Sequence, residues 1–198
     1  MNTTLESRKL QYLQHIEEEY SRKKKWWENS PKYNTTSEIG HQSKAVPDPH
    51  DNYAFRFDKQ FGSFIFIFLM MVFCGLLKIY SQISSKQLLF AEFLLVVMLL
   101  PGIKRAADRQ VKLQINATGI FYHKWNGYLS WDMILATFVQ TIPDDPDTHK
   151  LLVHYYDEEN DEFLQQSFVI DCFDVGYTDI AFAIEYCKAK NKLLKQRN

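Results

Sequence analysis

Leu113-Gln114-Ile115-Asn116-Ala117-Thr118-Gly119-Ile120, continuing through Phe121-Tyr122-His123-Lys124-Trp125-Asn126-Gly127-Tyr128-Leu129-Ser130-Trp131-Asp132-Met133-Ile134, combines the alternation of a sheet with the punctuation of tight turns. Leu113 and Ile115 alternate with polar neighbours, which predicts a strand over 111–115. Asn116 to Gly119 predicts a turn, and 120–125 a second strand. Asn126-Gly127 is the signature of a type I′ turn, whose two central positions both need positive φ, so 128–131 reads as the returning strand. Further strands follow at 134–142, 149–156 and 163–170, separated by the turn 143–147 and the acidic turn 157–162. Trp131 is suited to filling the core and Asp132 to capping the next turn. A helix over 178–194, with Ile180, Ala183, Ile184 and Cys187 on one face, closes the segment.

Upstream the pattern changes. Residues 61–77 and 88–103 are apolar runs flanking the short polar stretch 81–87. A helix crossing a hydrocarbon core of about 30 Å needs roughly 17 to 25 mostly apolar residues, so 59–104 predicts a two-helix transmembrane hairpin. Arg56, Lys59, Lys104, Arg105, Arg109 and Lys112 flank its outer ends against only Lys78 and Lys86 at its turn. The basic bias predicts a two-pass protein of the plasma (inner) membrane with both termini cytoplasmic. Glu92 is the ionisable residue within a span, and folding the hairpin about its turn brings it toward Lys78, an intramembrane polar pair with a structural role.

Residues 1–28 predict an amphipathic helix with an imperfect stripe of Leu5, Tyr12, Leu13, Ile16, Tyr20 and Trp27. Its block Arg22-Lys23-Lys24-Lys25-Trp26-Trp27 mixes cations with aromatic rings, which suits contact with an anionic membrane surface; packing on the C-terminal domain is the other reading. Residues 29–58, rich in Ser, Asn, Thr, Pro and Asp, read as a linker. At the far end Lys188, Lys190, Lys192 and Lys195 form a second candidate membrane-surface contact, or simply complement the helix C-terminal dipole.

The chain has 198 residues, 46% of them hydrophobic, with 23 Lys and Arg against 24 Asp and Glu. A net charge of -1 argues against nucleic acid, which requires a concentrated basic surplus. Three cysteines, Cys74, Cys172 and Cys187, make no disulfide framework. No catalytic constellation stands out. His149 and His154 are five apart, so on one strand they face opposite ways and share no metal. The acidic run 157–162 lacks the glycine and distant glutamate of a calcium loop, and Cys187 falls on an apolar helix face. Neither cofactor, metal nor small-molecule substrate is expected.

The steps Leu113 to Ile120 and Gly127-Tyr128-Leu129-Ser130-Trp131-Asp132-Met133-Ile134 resemble the pattern of small bacterial membrane proteins that carry a pleckstrin-homology-like (PH-like) domain behind a two-helix hairpin. The resemblance implies an α+β membrane protein: N-terminal amphipathic helix, transmembrane hairpin, and a cytoplasmic PH-like β-barrel or sandwich over 106–194 capped by one α-helix. Headgroup binding in such domains uses cations in the first strand-connecting loop; here 116–119 has none, and Lys124 is the nearest. The expected function is a non-enzymatic, membrane-anchored binding or scaffold module whose partners are the lipid bilayer and a protein. The alternative is a protective, immunity-like or regulatory subunit whose hairpin packs on another membrane protein.

Overall fold

The computed structural model describes residues 2–23, 30–48, 50–57, 110–125 and 127–197. The chain divides into two units, and the one described, Met1–Phe55 with Val111–Asn198, holds all the elements below. In order they are α1 (Asn2–Lys23), β1 (Lys32–Thr35), α2 (Thr36–Gly40), β2 (Asn52–Phe55), β3 (Leu113–Asn116), β4 (Gly119–Tyr122) and β5 (Tyr128–Ser130). They continue with β6 (Ile134–Ile142), β7 (Thr148–Asp157), β8 (Glu162–Val169) and α3 (Tyr177–Arg197).

Two four-stranded antiparallel sheets result, ordered β1-β6-β7-β8 and β2-β3-β4-β5. Strand alternation explains why β7 buries Leu151, Leu152, Val153 and His154 consecutively: the sheet is covered on both faces. Toward the second sheet, Leu151, Val153 and Val139 join Leu113, Ile115 and Ile120 as fully buried core residues. Ile180, Ala183, Ile184 and Cys187 of α3 are fully buried as well, so the helix stripe read from the sequence is the face that packs. On the opposite face of the first sheet, α1 lays Ile16 and Tyr20 against Phe138 and Leu152, with Tyr12, Tyr33 and Ala136 around them. Burying such side chains contributes about 1.5–3 kcal/mol each, so packing holds a helix that its polar composition would leave marginal alone.

The stretch 29–58 is a structural segment and not a spacer. β1 pairs with β6 and β2 with β3, each adding an edge to one sheet. Between them α2 starts on a capping box: the Thr35 hydroxyl accepts from Glu38 N at 3.2 Å, and Thr35 N donates to the Glu38 carboxylate at 2.9 Å. Thr36, fully buried, donates to Glu185 Oε1 of α3 at 2.5 Å and shares a 2.5 Å hydroxyl contact with Thr137 of β6. At Gly40 a Cβ would lie 3.2 Å from the Phe182 backbone, so the two helices pack nearly backbone to backbone. Gly40→Ala gains up to about 1 kcal/mol of helix propensity but forces α3 to move, and overpacking costs about 1–3 kcal/mol. A net loss of about 1 kcal/mol is expected, read as a lower denaturant midpoint with an unchanged slope.

Among the described residues no helix is long and apolar enough to cross a membrane. The described helices α1 and α3 carry charges along their length, and their apolar stripes are spent on sheet faces. This corrects the expectation of a two-pass plasma-membrane protein with a transmembrane hairpin ahead of a PH-like domain, and the resemblance to that bacterial family is withdrawn with it. What the chain builds is an α+β unit of two antiparallel sheets with three helices among its described residues. The range 59–104, with Lys78 and Glu92, lies outside the described residues.

Candidate functional site

Where β4 and β5 meet the far end of β7, the two sheets leave a mouth between them. Asn116 sets up its first wall as an Asx turn, its side-chain oxygen accepting from Thr118 N at 2.9 Å and Gly119 N at 3.2 Å. The Trp131 indole, buried, donates to the Asn116 carbonyl at 2.8 Å, tying the end of β5 back to β3. Trp125 N donates to the Tyr122 carbonyl at 2.8 Å, closing the turn that presents the Trp125 ring. That ring meets Phe168 of β8 edge-on at 5.6 Å, while Tyr122 stacks on Phe168 at 4.2 Å. The opposite wall comes from the end of β7, held by Tyr156 N donating to the Met133 carbonyl at 2.9 Å.

The cavity so formed measures about 720 Å³, lined by Trp125, Tyr128, Leu129, Met133 and Tyr155, with Gln166 of β8 at its side. Its lip is acidic: Asp157, Glu158 and Glu159, facing one cation, Lys124, among the described lining residues. Asp157 is committed to its turn, its carboxyl held below the usual range by the Asn160 side chain at 2.8 Å and by Glu159 N at 3.1 Å. Glu158 and Glu159 are exposed and make no ion pair among the described residues. Aromatic walls under exposed carboxylates suit a cationic group on an aliphatic or planar stem, through charge attraction and cation–π contact. A smaller cavity of about 310 Å³ on α3 is lined by Tyr186, Leu193 and Leu194 with the cations Lys190 and Arg197, and carries no carboxylate among its described lining residues.

Four of the basic residues singled out from the sequence are paired within the chain. Arg22 pairs with Glu18 at 3.3 Å, and Lys23 with Glu19 at 2.5 Å while lying 5.9 Å above the Tyr20 and Tyr33 rings. Lys190 pairs with Asp51 and Lys195 with Asp132, so Asp132 anchors α3 and does not cap a turn. Lys188 is half-buried and Lys192 exposed. Lys24, Lys25, Trp26 and Trp27 lie outside the described residues.

The histidines have separate tasks. His154 sits buried on the α1 side, its Nε2 2.9 Å from the Tyr20 hydroxyl and its Nδ1 3.2 Å from that of Tyr12. Burial pushes its pKa down to about 4, and burial likewise raises both tyrosines, so all three are neutral near pH 7. His149 Nδ1 lies 2.8 Å from Asp171 Oδ1 with its ring stacked 3.8 Å from Tyr177. A His–Asp pair is half of an acid–base device, yet no hydroxyl or thiol among the described residues hydrogen-bonds to it. The Cys187 thiol is fully buried and pushed up to about 12 by burial, which removes it as a nucleophile.

Sequence reading missed the mouth, though one signal was present. Trp125 and Tyr128 flank the tightest predicted turn, where large rings gain nothing for a turn and Tyr128 stays 46% exposed. Comparison with protein-family models, with curated proteins and with solved structures finds no match for the chain.

Proposed function

We propose that the chain is a non-enzymatic binding module that recognises a protein partner at the mouth between its two sheets, the partner contributing a basic group. The observation carrying this reading is the pairing of aromatic walls with two exposed glutamates, without an ion pair among the described residues, on one cavity of about 720 Å³. An anionic membrane surface fits this lip poorly, because Asp157, Glu158 and Glu159 would repel it. Several cations that a headgroup would need are already paired within the chain.

The test is capture of partners by the full chain and by a variant carrying Trp125→Ala, Glu158→Lys and Glu159→Lys. These positions are exposed or half-buried, so the fold survives their exchange. A partner bound at the mouth is lost by about tenfold or more, since a truncated aromatic anchor alone costs about 2 kcal/mol. Equal capture by both proteins refutes the mouth as the site.

A further inference from the structure

β8 is the long edge of the first sheet. Among the described residues it pairs only with β7, in an unbroken register from Asp157↔Glu162 to Lys150↔Val169. The other edges, β1, β2 and β5, have only 4, 4 and 3 residues against 8 in β8. Proteins protect long edges with charges, proline, bulges or brevity; Glu162–Val169 has no lysine, proline or bulge, and its one charge is Glu162 at its start. Its side chains Glu162, Gln165, Gln166, Ser167 and Val169 are exposed. An edge left unpaired among the described residues is a template for one more strand.

We infer that the free edge of β8 pairs with an extended, Lys- or Arg-bearing segment of a partner protein, whose cationic side chain enters the adjoining mouth; this rests on the reading of the mouth proposed above. Gln166 belongs both to β8 and to the lining of the mouth, so an added strand runs along the cavity's side. Alternate side chains of that strand face inward about 6.8 Å apart, a spacing that brings one of them beside Tyr155 and the Glu158–Glu159 lip. Charge selects the occupant. β8 begins at the acidic turn, where Glu158, Glu159 and Glu162 are exposed and Arg8 is paired with Asp161, while at its other end Lys150 stands opposite Val169 and Asp171 is paired with His149. A basic segment meets attraction where it passes Glu158, Glu159 and Glu162.

The probe is a peptide of alternating lysine and valine, matched to the 8 residues of β8, titrated into the full chain. Two further versions are N-methylated on either the lysines or the valines. Strand addition uses the amides of one set, so one methylated peptide binds at least tenfold more weakly and the other within about twofold. Hydrogen exchange shows alternate β8 amides slowing when the parent peptide is bound. If both methylated peptides bind like the parent while Glu158→Lys with Glu159→Lys weakens all three, strand addition is wrong and the mouth stands. If methylation weakens binding but charge reversal does not, the edge stands and the mouth reading fails. Protection of β8 amides with dimerisation and no peptide overturns the proposal in favour of a second copy, and absence of binding by the parent peptide overturns both readings.

Discussion

Gly119→Ala lowers stability by about 3 kcal/mol or more, the largest effect expected of any single methyl group in the described chain. Gly119 opens β4 opposite Ser130 of β5, and a Cβ there would lie 2.1 Å from the Leu129 carbonyl oxygen and 2.8 Å from its carbon. The obstruction is backbone, so no side-chain rotation relieves it. Moving β5 away would also disturb the Trp131 N donation to the Thr118 carbonyl at 3.3 Å and the Trp131 indole bond to Asn116. Gly127→Ala is the control: its φ of 115° strains an L-residue, but nothing lies within 4 Å of the added carbon. That variant costs about 1–2 kcal/mol from conformation alone. Denaturant unfolding of the three proteins ranks them, and a Gly119→Ala protein within 1 kcal/mol of the parent would contradict the close approach of β4 to β5.

Acid loosens the docked helix α1 through His154. In the unfolded chain this imidazole binds a proton near its ordinary value of 6.5, whereas in the folded chain it does so only near 4. Between those values the unfolded state holds more protons, so stability falls as pH drops from 6.5 to 4 and is flat above that window. The contribution is at most about 3 kcal/mol, since one pKa unit is worth about 1.4 kcal/mol. Glu19 opposes the shift by favouring the charged ring, but burial among Tyr12, Tyr20, Phe138 and Leu152 outweighs it. Carboxylates act lower on the scale: Asp161 is held down by the Tyr156 hydroxyl and then by Arg8, and Asp51 by Lys190. Their stabilisation is present above the usual carboxylate range and is lost only as pH falls through it. The check is the pH dependence of the unfolding midpoint in the parent and in His154→Gln, which keeps a donor and an acceptor near the tyrosines. Between pH 6.5 and 4 the parent loses more stability than the variant; parallel slopes would remove His154 from the account.

Much of the second half of the unit was legible from local pattern. The strand expected at 134–142 coincides with β6, 163–170 overlaps β8, and the helix expected at 178–194 lies within α3. These segments are long and bounded by turn residues, and the helix carries its apolar face at helical spacing. Residues 29–58 were illegible for the opposite reason. β1 and β2 are only 4 residues each, and what makes them strands is an edge waiting on β6 and on β3. A local signal did exist in Thr35-Thr36-Ser37-Glu38, the spacing of a capping box, though for a helix of only 5 residues. The acidic turn also makes a contact that no local pattern shows: Asp161 pairs with Arg8 of α1 at 2.9 Å across most of the chain.

By itself the sequence determined the strands of 113–169, the helix that follows them and the apolar face of that helix, because each depends on neighbours a few residues away. It also supplied the stripe of α1 without its destination. Only tertiary structure decided that Tyr12, Ile16 and Tyr20 cover the first sheet around His154, that 32–55 completes both sheets, and that Trp125, Tyr128 and Tyr155 line one acidic-lipped mouth. Those outcomes depend on pairings between residues far apart in the chain, as in Tyr20 with His154, and local periodicity holds no information about which faces and edges meet.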